Sequence, residues 1–101
     1  MKQIKIPKTV QVGGQVLEIR RPQIIDGGES AGEVHMIPGY IEVAKQVYGE
    51  TQCASSSFNT YNHELVHAIL YCMGEDRLYN NEKFVNTFAG FLTEARVTEK
   101  Y

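Results

Sequence analysis

Two histidines and a glutamate within five residues form the clearest chemical pattern in this sequence. His63, Glu64 and His67 stand in the order His-Glu-x-x-His. On an α-helix, residues four apart lie on one face, about 6 Å apart along the axis, so both imidazoles can converge on a single Zn²⁺ at roughly 2.0–2.1 Å. The pattern therefore predicts a helical zinc site with His63 and His67 as ligands.

Glu64 shares the narrow helix face of the two histidines. It lies about 100° around the helix from His63, with His67 between them in angle. A carboxylate in this position can reach a metal-activated water without binding the metal itself, which is the role of the glutamate in this motif. We therefore expect Glu64 to act as a general base.

The third metal ligand has several candidates, because a catalytic zinc site usually takes three protein ligands and leaves one position open. His35 is the only other histidine, and Glu75 and Asp76 follow the first helix so closely that they cannot easily fold back onto its middle. Glu82 lies in the first turn of the next helix, at the margin of that helix's apolar arc. A set of two histidines and one glutamate favours Glu82, although a first-turn glutamate also complements the helix dipole.

The elements that must position these residues begin with a strand-rich region, residues 1–52. A glycine turn at Gly13 and Gly14 predicts a hairpin, and alternating apolar residues predict two short strands near 32–36 and 40–44. The segment 45–53 reads as irregular or weakly helical. The first half therefore predicts a small sheet of three to four strands.

Two helices follow the strands. The active-site helix is predicted over about 57–73, with its N-cap among the serines at 55–57 and Gly74 as its C′ residue. After a loop, a second helix runs over about 82–95, capped by one of the two asparagines before it. The apolar arc of this second helix is wide enough to pack on the first; it consists of Phe84, Val85, Phe88, Ala89, Phe91, Leu92 and Ala95.

Length and composition fit one small folded domain, residues 1–101. A hydrophobic content of 43% argues against disorder, and ten basic against twelve acidic residues give a formal net charge of −2. The charges form no basic stripe of the kind that binds nucleic acid. No apolar run approaches the ~18 residues of a membrane span, and the charged start at 1–7 has no signal-peptide apolar stretch. We expect a soluble cytoplasmic protein without nucleic-acid or membrane partners.

The two cysteines, Cys53 and Cys72, have no metal-site spacing. Without a secretion signal, free thiols are favoured over a disulfide. Cys72 lies on the helix face opposite His63, which predicts a place in the core.

The zinc helix and the segment after it resemble the minimal gluzincins, small zincin-like metallopeptidases common in phages and prophages. The resemblance rests on HELVHAILYCMG at 63–74 and NEKFV at 81–85. It implies an α+β fold, with a small twisted sheet over the zinc helix and a glutamate helix behind it. It also implies one Zn²⁺ held by His63, His67 and Glu82, with Glu64 as the base. Larger gluzincins support a histidine with an aspartate where this chain has Asn86, which can hydrogen-bond but carries no charge.

Further site residues are candidates on position alone. Tyr71, Tyr79 and His35 are the options for stabilising an oxyanion. An edge strand made of Tyr40, Ile41, Glu42 and Val43 would align an extended peptide or protein substrate by β-addition.

The function that these features favour is zinc-dependent hydrolysis of peptide bonds, and the alternative is a zinc-stabilised, catalytically silent binding or regulatory module. In related minimal gluzincins the C-terminal segment can cover the cleft. The resemblance therefore implies that residues 97–101, the one stretch free to do so, could hold the enzyme latent.

Overall fold

The computed structural model describes residues 4–101, so the first three residues of the charged start lie outside the described range. The chain opens with an antiparallel hairpin of β1 (Thr9–Val12) and β2 (Gln15–Arg20). Gly13 and Gly14 join the strands with φ values of 58° and 83°, the left-handed backbone that a two-residue hairpin turn requires. The predicted glycine-turn hairpin is confirmed.

The free edge of the main sheet on the side of the zinc motif is β3 (Gly32–His35). This strand pairs antiparallel with β4 (Tyr40–Val43), and β4 also pairs in parallel with β2, so the strand order is β1-β2-β4-β3. Ile41 of β4 lies opposite Ile19 on one side and Val34 on the other. The prediction that Tyr40, Ile41, Glu42 and Val43 form an edge strand is therefore wrong, because β4 has a neighbour on both sides.

The segment 45–53 contains a second, two-stranded sheet. β5 (Gln46–Val47) pairs antiparallel with β6 (Glu50–Thr51) through a turn in which Tyr48 and Gly49 have φ values of 51° and 79°. Strands of two residues are too short for an alternating pattern, which is why the sequence did not predict this hairpin.

The first predicted helix, α1, spans Ala54–Met73 and is longer at its start than predicted. Cys53, in extended conformation, is the N-cap, and the three serines lie inside the first turn, so the predicted serine cap is wrong. The C-terminus is as predicted. Gly74 adopts the left-handed conformation, with φ 74°, and its N–H bonds to the carbonyls of Leu70 and Tyr71.

A one-turn helix, α2 (Asp76–Tyr79), replaces the predicted loop and leads to α3 (Glu82–Val97). The predicted asparagine cap is confirmed, because Asn81 Oδ1 accepts a hydrogen bond from the Phe84 N–H at 3.0 Å. α3 ends two residues later than predicted, and Val97 packs half-buried against the core. The prediction that all of 97–101 is free is therefore wrong at Val97.

The fold is α+β, as predicted, and α1 packs against both the main sheet and α3. On the sheet side, the buried cluster consists of Val12, Leu17, Met36, Ile41, Val43, Phe58, Tyr61 and Ala68. On the other side, α1 and α3 share the buried residues Val66, Leu70, Val85 and Ala89. The zinc motif therefore lies on a helix that is covered on two sides, which fixes its orientation.

The predicted apolar surfaces of the helices are only partly buried. Phe88 and Phe91 are 51% and 68% exposed, because α3 packs on α1 and the one-turn α2, whose contacts do not cover its whole apolar arc. Cys72 is exposed rather than in the core, with its Sγ 3.8 Å from the Val12 carbonyl oxygen. Cys53 is exposed too, and both thiols are free, as predicted. Within residues 4–101, no helix is both long and apolar enough to cross a bilayer.

Candidate metal centre

The two motif histidines of α1 and the first residue of α3 converge on one point. Glu82 Oε2 lies 3.2 Å from His63 Nε2, and Glu82 Oε1 lies 3.0 Å from His67 Nε2. One donor atom from each of the three side chains lies within 4.8 Å of the other two. Ligands at 2.0–2.1 Å from a tetrahedral metal are separated by roughly 3.3 Å, so the three side chains fit a single Zn²⁺.

Local structure explains this convergence. His63 and His67 are one helical turn apart on the same face of α1. Gly74 ends α1 sharply, and α2 spans the short distance to α3. The Asn81 cap makes Glu82 the first residue of α3, where the helix dipole favours a negative charge. The carboxylate is therefore held at the helix end that faces α1.

The other candidates for the third ligand are elsewhere. His35 Nε2 contacts Glu33 Oε1 at 3.1 Å and Glu42 Oε1 at 3.8 Å. Glu75 and Asp76 are exposed at the start of α2. Among the residues that the structure describes, the donor group that contains both motif histidines is completed by Glu82 alone.

The protonation of His63 suits a metal ligand. Burial lowers the pKa of His63, while the charge of Glu82 opposes the shift and His67 adds to it. The neutral imidazole that results is the form that binds a metal. Asn86, the predicted supporting residue, hydrogen-bonds to the His63 side chain, and this bond raises the pKa of His63. His67 has no equivalent support, because its buried Nδ1 lacks a hydrogen-bond partner in the described part of the chain.

Glu64 faces the same site from within the protein. It is only 6% exposed, and no hydrogen bond or ion pair holds its carboxyl group among residues 4–101. Burial raises the pKa of Glu64 from its usual 4.5 to about 8, and the charges of Glu82 and Glu33 add to the shift. A nearby cation favours the charged carboxylate and reverses this effect. Glu64 is therefore poised to exchange a proton near neutral pH.

A cavity of about 770 Å³ opens over these residues. All four residues of β3 form one wall, and side chains from α1, α2 and α3 form the others. β3 approaches α1 closely at Gly32, where an added Cβ would lie 2.6 Å from Thr60 Cγ2 and 3.3 Å from Glu64 Cγ. The size falls within the range of small-molecule and peptide pockets.

The remaining candidates divide between the cavity and the surface. Tyr79 lines the cavity, with its ring centroid 4.9 Å from that of His67 in an edge-to-face contact. Burial raises the pKa of Tyr79, and the charge of Glu64 adds to the shift. His35 and Asn86 also line the cavity, whereas Tyr71 is exposed and does not. None of the four residues of β4 lines it.

Glu33 is the charged cavity residue that the sequence did not single out. Its carboxyl group is hydrogen-bonded to that of Asp26, which together with burial raises the pKa of Glu33, while His35 lowers it. The available signal was the alternation along β3, since Glu33 and His35 share one face of that strand. Recognising β3 as the edge strand would have pointed to Glu33.

Comparison of the chain with protein-family models, curated proteins and solved structures gives no match. The resemblance to the minimal gluzincins remains a prediction from the sequence. Function is therefore inferred from the residues of the cavity.

Proposed function

We propose that this protein is a zinc-dependent peptidase in which His63, His67 and Glu82 hold the metal and Glu64 is the general base. The position of Glu64 carries the proposal. It is nine-tenths buried, faces the cavity and has no hydrogen-bond partner among the described residues. Burial of a carboxyl group is unfavourable for its charged form, as the raised pKa of Glu64 indicates, and a purely structural metal site does not need such a group. Its presence beside three converging donors supports a chemical role.

Zn²⁺, when bound, would supply a Lewis acid toward the scissile carbonyl and make water more acidic. Glu64 then accepts a proton from the attacking water and delivers it to the leaving amine. The pKa of Glu64 near 8 in the metal-free protein falls beside a cation. A carboxyl group whose pKa lies between its usual value and about 8 can both accept and release a proton at neutral pH.

The free edge of β3 offers the main-chain groups that an extended peptide needs. Gly32 brings the strand against α1 beside Glu64, and no strand of the described part of the chain pairs with the edge opposite β4. A peptide added there would gain backbone hydrogen bonds and pass over the metal donors. This geometry supports peptide-bond hydrolysis over reactions of compact substrates.

Replacing Glu64 with glutamine tests the proposal. The Glu64→Gln protein should keep its fold and its zinc but lose about 10²–10⁴-fold in hydrolysis of a mixed peptide library, since the amide cannot accept a proton. Glu50→Gln removes the same charge from an exposed residue of β6 and should remain as active as the parent. A Glu64→Gln protein of full activity would overturn the role of Glu64.

The same experiment separates the alternative function. If the parent and both variants bind zinc and none cleaves any peptide, the chain is a metal-stabilised binding module. Zinc content by elemental analysis and hydrolysis by mass spectrometry of the library are the two measurements required.

A further inference from the structure

The cavity as a whole has an excess of negative charge. Among residues 4–101, those that line the cavity include Glu33, Glu64 and Glu82, but no lysine or arginine. A Zn²⁺ ion would balance the charges of Glu64 and Glu82. Glu33 contacts the His35 imidazole at 3.1 Å but no lysine or arginine of the described lining, and it lies on the strand along which a peptide would lie.

Two further carboxyl groups stand behind Glu33. Asp26 is hydrogen-bonded to it, and Glu42 lies directly opposite it on β4. Donor atoms of Glu33, His35 and Glu42 lie within 4.8 Å of one another, and the His35 imidazole contacts two of the three carboxyl groups, those of Glu33 and Glu42. Arg20 lies opposite Glu42 on β2 and interacts with its charge, but its Nε donates to Glu18 at 2.6 Å and its guanidinium stacks on the Tyr40 ring at 3.9 Å.

The register of β3 sets where this charge would act on a peptide. Gly32 approaches α1 beside Glu64, so side chains at Glu33 and His35 point to the opposite face of the sheet. A peptide residue paired with Glu33 would present its own side chain on that face, next to Glu33, as Glu42 does from the other side. Because Gly32 adjoins Glu64, this peptide residue lies next to the bond presented to the base.

We propose that the cleft selects peptides with a lysine or arginine beside the scissile bond, and that Glu33 is the residue that determines this preference. The inference rests on the proposed peptidase function, because it assumes that a peptide lies along β3. Glu64, which carries the proposed function, lines the same cavity and is only 6% exposed.

Binding to a protein that cannot cleave tests the preference without relying on turnover. Short fluorescent peptides of alanine and threonine would carry one lysine, glutamine or glutamate, scanned along their length. Anisotropy titrations against zinc-loaded Glu64→Gln protein at low salt should give about two- to fivefold tighter binding for lysine than for glutamine at one position, the size of a cross-strand charge pair. The affinity should be highest for the lysine peptide, intermediate for the glutamine peptide and lowest for the glutamate peptide. These differences in affinity should become smaller in high salt.

Variants of Glu33 in the same background identify the residue responsible. Glu33→Gln, which retains the shape of the side chain, should remove the lysine preference, and Glu33→Lys should favour the glutamate peptide instead. Glu50→Gln, a matched loss of charge on β6, should leave the preference unchanged. Circular dichroism confirms that each variant is folded. Glu33→Gln removes the charge and Glu33→Lys reverses it, so the two variants should change the preference in the same direction and by increasing amounts.

The outcomes distinguish this inference from the proposed function. Peptides that bind with no charge preference, or a lysine preference that survives Glu33→Gln and Glu33→Lys, would overturn the role of Glu33 and leave the peptidase proposal intact. Failure of every peptide to bind, together with no hydrolysis by the parent protein, would overturn both.

Discussion

Gly32 on the edge strand β3 lies against Glu64 on helix α1, with no room for a side chain between them. A Cβ atom at Gly32 would lie 3.3 Å from Glu64 Cγ, 3.0 Å from the Glu42 carbonyl oxygen and 2.6 Å from Thr60 Cγ2. Contacts this short require the neighbouring atoms to move. The glycine therefore sets the distance between the strand that would bind a peptide and the proposed base.

Gly32→Ala should accordingly destabilise the protein by about 1–3 kcal/mol, the usual cost of adding a methyl group to a filled space. It should also reduce peptide hydrolysis, because Thr60 and Glu64 shift away from β3. Urea unfolding followed by circular dichroism measures the first effect, and initial rates measure the second.

Gly90→Ala is the matched control. Gly90 lies within α3, and an added Cβ would meet no atom within 4 Å. Because alanine favours a helix more than glycine does, this change should stabilise the protein by about 0.5–1 kcal/mol. Equal effects of the two substitutions would contradict the close packing of β3 on α1.

The assignment of Glu82 as third ligand predicts an ordered loss of zinc affinity. Glu82→Gln should weaken binding by about 100-fold or more, because removal of a supporting partner alone costs about 10–100-fold. Asn86→Ala should weaken zinc binding by about 10–100-fold, since Asn86 acts on the metal site through its hydrogen bond to His63. Competition with a fluorescent zinc chelator measures both constants.

Glu75→Gln provides the comparison for this series. Glu75 is exposed at the N-cap of α2 and was itself a candidate ligand from the sequence. Its replacement should leave zinc affinity unchanged. A larger loss for Glu75→Gln than for Glu82→Gln would show that the metal is held differently.

Glu64 should make the stability of the metal-free protein depend on pH. Its pKa is about 8 in the folded state against a usual 4.5, so between these values the folded protein keeps a proton that the unfolded chain releases. The free energy of unfolding therefore falls as pH rises from about 5 to about 8, by at most about 5 kcal/mol at ~1.4 kcal/mol per pH unit. Below the unfolded-state pKa this loss is absent, and above pH 8 it is complete.

Urea unfolding in the presence of a chelator, at several pH values from 5 to 9, measures this effect. Glu64→Gln does not titrate, so its stability advantage over the parent should grow across that interval. Zinc should flatten the dependence of the parent, because the cation favours the charged carboxylate. Parallel pH profiles for the parent and the variant would contradict the burial of Glu64.

Local sequence rules predicted the parts of the fold that depend on neighbouring residues. The turn at Gly13 and Gly14, the left-handed Gly74 and the Asn81 cap each follow from the backbone preferences of one or two residues. The approach of Glu82 to His63 and His67 was also within reach, because helix periodicity and a short connection limit where α3 can begin.

Such local rules do not predict the order of the strands in the sheet. β4 and β3 have similar lengths and patterns, and pairing of β4 with the distant β2 decides which of them is the edge. With Tyr40–Val43 predicted as the substrate-binding edge strand, that role was not assigned to Gly32–His35, and the candidate site therefore left out Glu33. The exposure of Phe88 and Phe91 likewise depends on how many elements cover α3, which no local pattern records.

Removal of the C-terminal residues tests whether the chain is latent. Residues 98–101 follow α3 and do not line the cavity, so a chain ending at Val97 should hydrolyse peptides at the rate of the full chain. The stability of this shortened chain should change by less than about 1 kcal/mol, since the lost contacts include the exposed Arg96–Glu99 ion pair.

A chain that ends at Arg96 also lacks Val97, which packs against the core. This second truncation should cost about 1–2 kcal/mol more in stability, with the rate of hydrolysis again unchanged. Activity that appears only in the shortened chains would show that the last residues do cover the cleft in solution.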